Sequence, residues 1–196
     1  MSTDALWYLA RGAGTVSLVL LTVVMVLGIG SRSGRPVFGL PRFGVVAVHR
    51  NASLVAVGLL IVHLLTLLLD PYAQLRWVNL VIPFGSVYRP LWVGLGTVAI
   101  DLLVVVLLST WVRHYLGART WRAVHWAAYA IWPIALLHGL FSGTDGRRSW
   151  LLAIAGVCAL AVAAALVWRL SDRFTETARL RATGPATAAP RWDRSR

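Results

Sequence analysis

The sequence predicts an all-α integral membrane protein, a bundle of five transmembrane helices with its N-terminus outside and its C-terminus in the cytoplasm. Three observations carry that reading. The 196-residue chain is 58% hydrophobic with a mean hydropathy of +0.72, above the roughly half-apolar composition of soluble domains. Five apolar segments, at about 7–30, 46–69, 91–112, 121–141 and 150–169, each approach the roughly 20 residues a helix needs to cross a hydrocarbon core. Every basic residue is arginine, and the arginines are unevenly spread: Arg32, Arg35, Arg42, Arg50, Arg113, Arg119, Arg122 and seven from Arg169 to Arg196 follow the odd-numbered spans, against Arg11, Arg76, Arg89, Arg147 and Arg148 on the other side. The positive-inside bias sets the orientation from that difference. The net charge of +12 therefore reads as topology and attraction to anionic lipid, and not as a nucleic-acid surface.

The first span follows Asp4, where a secretory signal would be basic, and no small-residue cleavage site succeeds it, so it reads as a permanent helix. It carries Arg11, about two turns in from the outside, followed by Gly12, Ala13 and Gly14. The link GSRSGRPVFGLPR, from Gly30 to Arg42, has the Gly, Pro and Arg content of a cytoplasmic turn region. The second span holds His49 and His63 in HRNASLVAVGLLIVH. The outer link DPYAQLRWVNLVIPFGSVYRP alternates apolar and turn residues, the pattern of a segment lying at the interface or folded over the bundle end. The third span contains Asp101 near its middle and ends at His114. A carboxyl at that depth is expected protonated, paired with a cation such as Arg11, or hydrogen-bonded inside the bundle. His114 has no partner at matching spacing and reads as interfacial.

The fourth span repeats the theme with His125 and His138 in HWAAYAIWPIALLH, interrupted by Trp132-Pro133. The fifth holds the lone Cys158, which excludes a disulfide framework and reads as a small lipid-facing or packing residue. Of the ten tryptophans, Trp7, Trp77, Trp92, Trp111, Trp121, Trp150 and Trp168 fall near span ends as belt residues. Trp132 reads as packing. Residues 1–170 thus form one membrane domain, and 171–196 a basic cytoplasmic tail, largely disordered from Ala182 onward.

The four span histidines form a pattern. His49 and His63 lie 14 residues apart, and His125 and His138 lie 13 apart, which is about 21 and 20 Å along a helix axis. The two spans run in the same direction, so His49 pairs in depth with His125, and His63 with His138. Two imidazoles at one depth on two helices are what bis-axial ligation of a haem iron requires. Fourteen residues return to within about 40° of the starting face, whereas thirteen leave about 140° of mismatch in an ideal helix. A proline between the ligands distorts winding locally and is a means of turning His138 back. Other metals fit poorly, because the donors pair across about 20 Å instead of clustering.

These residues, with the WYLARGAG opening, the WRAVHWAAY entry and the HGLFSGTD exit, resemble the ferric reductase-like transmembrane domain, over roughly residues 5–170. The family includes the membrane parts of NADPH oxidases and ferric reductases and the haem-binding subunit of the bacterial methionine sulfoxide reductase system. The resemblance implies electron transfer through two b-type haems, an inner one on His49 and His125 and an outer one on His63 and His138, in a bacterial plasma membrane. Arg11 and Arg89 are the candidates for an outer haem propionate. About 27 residues follow the fifth span, so the expected electron donor is a separate flavoprotein or quinol, with an external acceptor or redox protein opposite. Relatives of this kind keep a flavin, FMN or FAD, among the implied cofactors, and a haem-and-flavin subunit serving an exported redox partner is the second reading. A non-redox metal or haem transporter is the third, and would need more polar residues along a path than Asp101 and a few Ser and Thr.

Overall fold

In the computed structural model, residues 3–33, 36–71, 73–144, 146 and 148–171 are described. Six helices follow in order: α1 (Thr3–Gly30), α2 (Arg42–Leu69), α3 (Pro90–Trp111), α4 (Arg113–His125), α5 (Ala128–Ser142) and α6 (Ser149–Leu170), with a 3-10 turn at Trp77–Leu80 between α2 and α3. No strand longer than the isolated Val37–Leu40 bridge occurs among the described residues. Four helices are each long and apolar enough to cross a membrane, and α4 with α5, bent by 40°, pass the same test as a pair, which makes five if the pair is one span. The all-α membrane class is therefore shown. Beyond Ser171 the expected tail lies outside the described residues.

The fourth span differs from the expected single helix over 121–141. The chain is helical from Arg113 with a kink at Gly117, whose φ is 72°, and winding breaks again at Trp126 and Ala127, whose ψ angles are both −23°. Around the break the amide of Ala127 donates to Val124, that of Tyr129 to Trp126 and that of Ala130 to Ala127. These are i to i−3 bonds, the 3-10 pattern, which turns about 120° per residue against about 100° in an α-helix. Each residue so wound advances the phase by about 20° more than an α-helical one, so the break supplies part of the roughly 140° that a 13-residue interval lacks. Tighter winding has the sign needed to bring His125 and His138 to one side. The sequence reading placed this correction at Pro133; the hydrogen bonds show a break ahead of it.

α1 is the helix around which the others assemble. It packs along α2 and also meets α5 and α6, while α3 packs on α5 and α4. Small residues at Ala10, Ala13, Gly14 and Ser17 give α1 the profile that lets helices approach closely in lipid, where packing and hydrogen bonds replace hydrophobic exclusion as the driving force. Buried Trp132, Cys158 and Val162 join α5 to α6, with Leu21 and Met25 of α1 against them. That settles Cys158 as a packing residue. Leu54, Val157, Leu160 and Val167 are exposed and face lipid. At the far end of α6, Arg169 lies 4.9 Å from the Trp126 ring centroid and donates to the Tyr129 hydroxyl.

One buried polar pair ties α5 to α1. The Trp132 indole N–H donates to Thr22 Oγ1 at 2.8 Å, and the Thr22 hydroxyl donates to the Leu18 carbonyl at 2.9 Å. Thr22→Val keeps the shape and strands the indole N–H, so the variant is expected to unfold about 1 kcal/mol more easily, the scale of interhelical hydrogen bonds in membranes. Unfolding in mixed micelles measures it; no shift, with Trp132→Phe equally silent, would remove the bond from the list of stabilising contacts.

The outer link folds back over the bundle end. Asn79 Oδ1 accepts from the Arg76 amide at 3.0 Å, and the Asn79 carbonyl accepts from Thr97 Oγ1 at 2.7 Å, which fixes the 3-10 turn to α3. Gly94 lets Phe84 lie directly on α3, since a Cβ there would overlap the phenyl ring and the Phe84 amide nitrogen. Of the two alternatives for this link, folding over the end is the one observed, although Trp77, Val81 and Val87 remain exposed.

Candidate functional site

A cavity of about 360 Å³ opens between α1, α2, α3 and α5, under the outer link. Its walls are chiefly leucine, alanine and glycine, and His63 of α2 and His138 of α5 stand in it. Their ring centroids are 6.4 Å apart with the planes at 84°. Two imidazoles on opposite sides of one ion, each about 2 Å from it through a nitrogen that lies about 1.1 Å from its own ring centre, would have centroids separated by about 6 Å. The observed spacing meets that condition.

Each ring is held from behind. His63 Nδ1 is 2.7 Å from the Ala10 carbonyl of α1, and His138 Nδ1 is 2.7 Å from the Trp92 carbonyl of α3. A carbonyl oxygen can only accept, so Nδ1 carries the proton in both rings and Nε2 keeps the lone pair. Four residues beyond each carbonyl stands a glycine. A Cβ on Gly14 would come within 3.0 Å of Cε1 and Nδ1 of His63, and one on Gly96 within 2.6 Å of the same atoms of His138. The reason is helical geometry: residue n+4 sits over the carbonyl of residue n, and without a side chain there the imidazole reaches that carbonyl from the side.

The arrangement recurs one level along. His49 Nδ1 is 3.0 Å from the Val24 carbonyl, and Gly28, four residues on, would place a Cβ 3.3 Å from His49 Cε1. Ala10 and Val24, Gly14 and Gly28, and His49 and His63 are all separated by 14 residues, so α1 and α2 repeat the same contact by a simple shift. His125, at the end of α4, completes the second level differently. His49 and Arg32 lie close enough to act electrostatically on its ring, Trp121 stacks on it at 5.1 Å with 29° between planes, and its buried Nδ1 has no hydrogen-bond partner.

The remaining candidates separate. Arg11 lines the cavity, its guanidinium carbon 5.3 Å from the Trp7 ring centroid. Arg89 is outside the lining and exposed; its Nη1 donates to the carbonyls of Phe141 at 2.6 Å and Gly143 at 3.3 Å, tying the start of α3 to the end of α5. Arg89 itself is left-handed, with φ 42°. Asp101 is half-buried on the face of α3 that carries exposed Val104, Val105 and Leu108, and no ion pair to Arg11 is formed among the described residues. His114 is exposed and lies 4.0 Å, centroid to centroid, from Tyr115. Gly143 and Thr144 border the cavity mouth, as does Tyr88. Ser17, buried at 4% exposure, also lines the cavity, and its Oγ has no partner.

Sequence reasoning found the four rings and missed what holds three of them. Main-chain acceptors leave no trace in side-chain identity. The usable signal was Gly14 and Gly28, spaced by the same 14 residues as the histidines they face. Among the described residues no group of three or more His, Cys, Asp or Glu gathers at one point.

Residues 13–136 match the family described as ferric reductase like transmembrane component. The match takes in His49, His63 and His125 and stops just short of His138. No curated protein and no solved structure matches the chain.

Proposed function

The chain belongs to the ferric reductase-like transmembrane family, and from that premise we propose that it conducts electrons across the membrane through two b-type haems, as the membrane component of a reductase. His63 and His138 would hold one haem, and His49 and His125 the other. The single observation that carries this reading is the facing pair of His63 and His138, each with Nδ1 committed to a carbonyl and Nε2 free. The residues present fit the group in three respects. The donor set is two neutral imidazoles, the walls are apolar enough for a flat macrocycle, and the buried Ser17 hydroxyl is left without a partner inside the cavity. A bound haem supplies a one-electron couple whose potential its axial ligands and surroundings tune.

The chain's own contribution is positional. The Ala10 and Trp92 carbonyls fix tautomer and ring orientation and raise the basicity of Nε2, the second-sphere role that backbone acceptors play behind metal-bound histidine. The outer link covers the cavity end, and leucines of α1, α2 and α3 line its walls. Arg11 places a cation at the same cavity, where it would favour binding of an anionic propionate. By the arginine distribution this level faces outward. The donor in this reading is a separate flavoprotein or quinol, and the acceptor lies outside the membrane.

The test is an absorbance spectrum of detergent-purified protein with haem counted by pyridine haemochrome. The expected result is a reducible Soret band and about two haems per chain, one for each histidine pair. Expression with ample haem that yields no Soret signal would refute electron transfer by this route.

A further inference from the structure

The two levels are not built alike, and the difference lies in α3. On the first level α3 offers the Trp92 carbonyl and Gly96 to His138. The 14-residue shift that relates the two levels along α1 and α2 leads, on α3, to Val106 and Thr110. There the seat is filled by the helix itself. Ser109 Oγ and Thr110 Oγ1 each donate to the Val106 carbonyl at 2.8 Å, and Thr110 brings a β-branched side chain where Gly96 has none. Trp121, which stacks on His125, reaches the same threonine, Nε1 to Oγ1 at 3.3 Å. Through Trp121 His125 is linked to the threonine that fills this seat, and its Nδ1 is buried with nothing to bind.

We propose that His125 is a detachable ligand: of the four histidines it alone lacks a carbonyl seat, so the second haem can exchange this imidazole for a small external ligand while the first haem cannot. The inference rests on the two-haem reading above. Three imidazoles have their tautomer and direction set before any metal arrives. His125 must select both on binding and gains no help from behind, and loss of such a second-sphere partner typically weakens a metal site by about 10–100-fold. His49, opposite, stays seated on Val24 and Gly28, and with the incoming ligand in place of His125 the group keeps two bonds. The bend and the break in α-helical winding at Trp126–Ala127, directly after His125, give the ligand a joint on which to swing.

Carbon monoxide added to the dithionite-reduced protein is the probe. About half of the haem should change its Soret band in wild type. In His63→Ala/His138→Ala, which leaves only the second level, nearly all remaining haem should react. In His49→Ala/His125→Ala almost none should. Wild type in which neither haem reacts, or both react alike, overturns the proposal, as does reaction confined to the first level. Haem content is counted first in every sample, so a chain that binds no haem refutes the two-haem reading and is distinguished from a chain with two haems of equal reactivity. The wild-type titration stands alone should either double variant fail to fold.

Discussion

His138→Ala is expected to halve the haem content of the purified protein, from about two per chain to about one, and His63→Ala is expected to do the same. Both rings serve one site: their centroids are 6.4 Å apart across a single cavity. Removing either leaves one imidazole facing a methyl group in an apolar hole, and the group loses one of its two protein bonds. Effects of residues that act as a unit do not add, so the combined variant should lose no more than either substitution alone. Pairing His63→Ala with His49→Ala, which touches both levels, should instead remove both haems. His114→Ala should change nothing, because that ring is exposed and touches only its neighbour Tyr115, at a tilt of 43°, among the ring contacts of the described residues. A His63→Ala/His138→Ala protein devoid of haem, or a His114→Ala protein that loses one, would break the assignment of levels.

The second large effect belongs to residues that carry no chemistry of their own. Alanine at Gly96 would put a Cβ 2.6 Å from Cε1 and Nδ1 of His138, closer than real Cβ atoms come to ring atoms. The ring must leave the Trp92 carbonyl. At Gly14 the distance to His63 is 3.0 Å and at Gly28 the distance to His49 is 3.3 Å, while Gly12 has nothing within 4 Å. The expected order of damage is therefore Gly96→Ala, then Gly14→Ala, then Gly28→Ala, with Gly12→Ala as silent as wild type. Loss of the second-sphere bond should weaken cofactor retention by about 10–100-fold at Gly96, read as haem released to apomyoglobin over time. Equal behaviour of Gly12→Ala and Gly96→Ala would show that the glycines serve helix packing alone.

The two predictions show which parts of the molecule were legible beforehand. Five apolar stretches and four histidines at matched depth were visible because both depend on side-chain type and spacing, the quantities a sequence states directly. The seats were hidden because their acceptors are the carbonyls of Ala10, Val24 and Trp92, and any residue owns a carbonyl. The break after His125 is hidden because Trp126-Ala127-Ala128 holds nothing that stops a helix, whereas Pro133 has a known local effect on winding. Asp101 and Arg11 illustrate a third case. Both are charged and apolar-flanked in sequence, which suggested each other as partners, yet one belongs to the cavity and the other to an outward face of α3.

The overwound stretch between α4 and α5 has one more consequence, in axial length. A 3-10 segment rises about 2.0 Å per residue against about 1.5 Å in an α-helix. About three residues so stretched add about 1.5 Å, which is the height by which 13 residues of regular helix fall short of the 14 between His49 and His63. The missing residue is thus compensated in height and, in part, in angle. The same short segment that turns His138 inward also keeps the two rungs of the ladder level, so an insertion into it would tilt one rung against the other even if every histidine were retained.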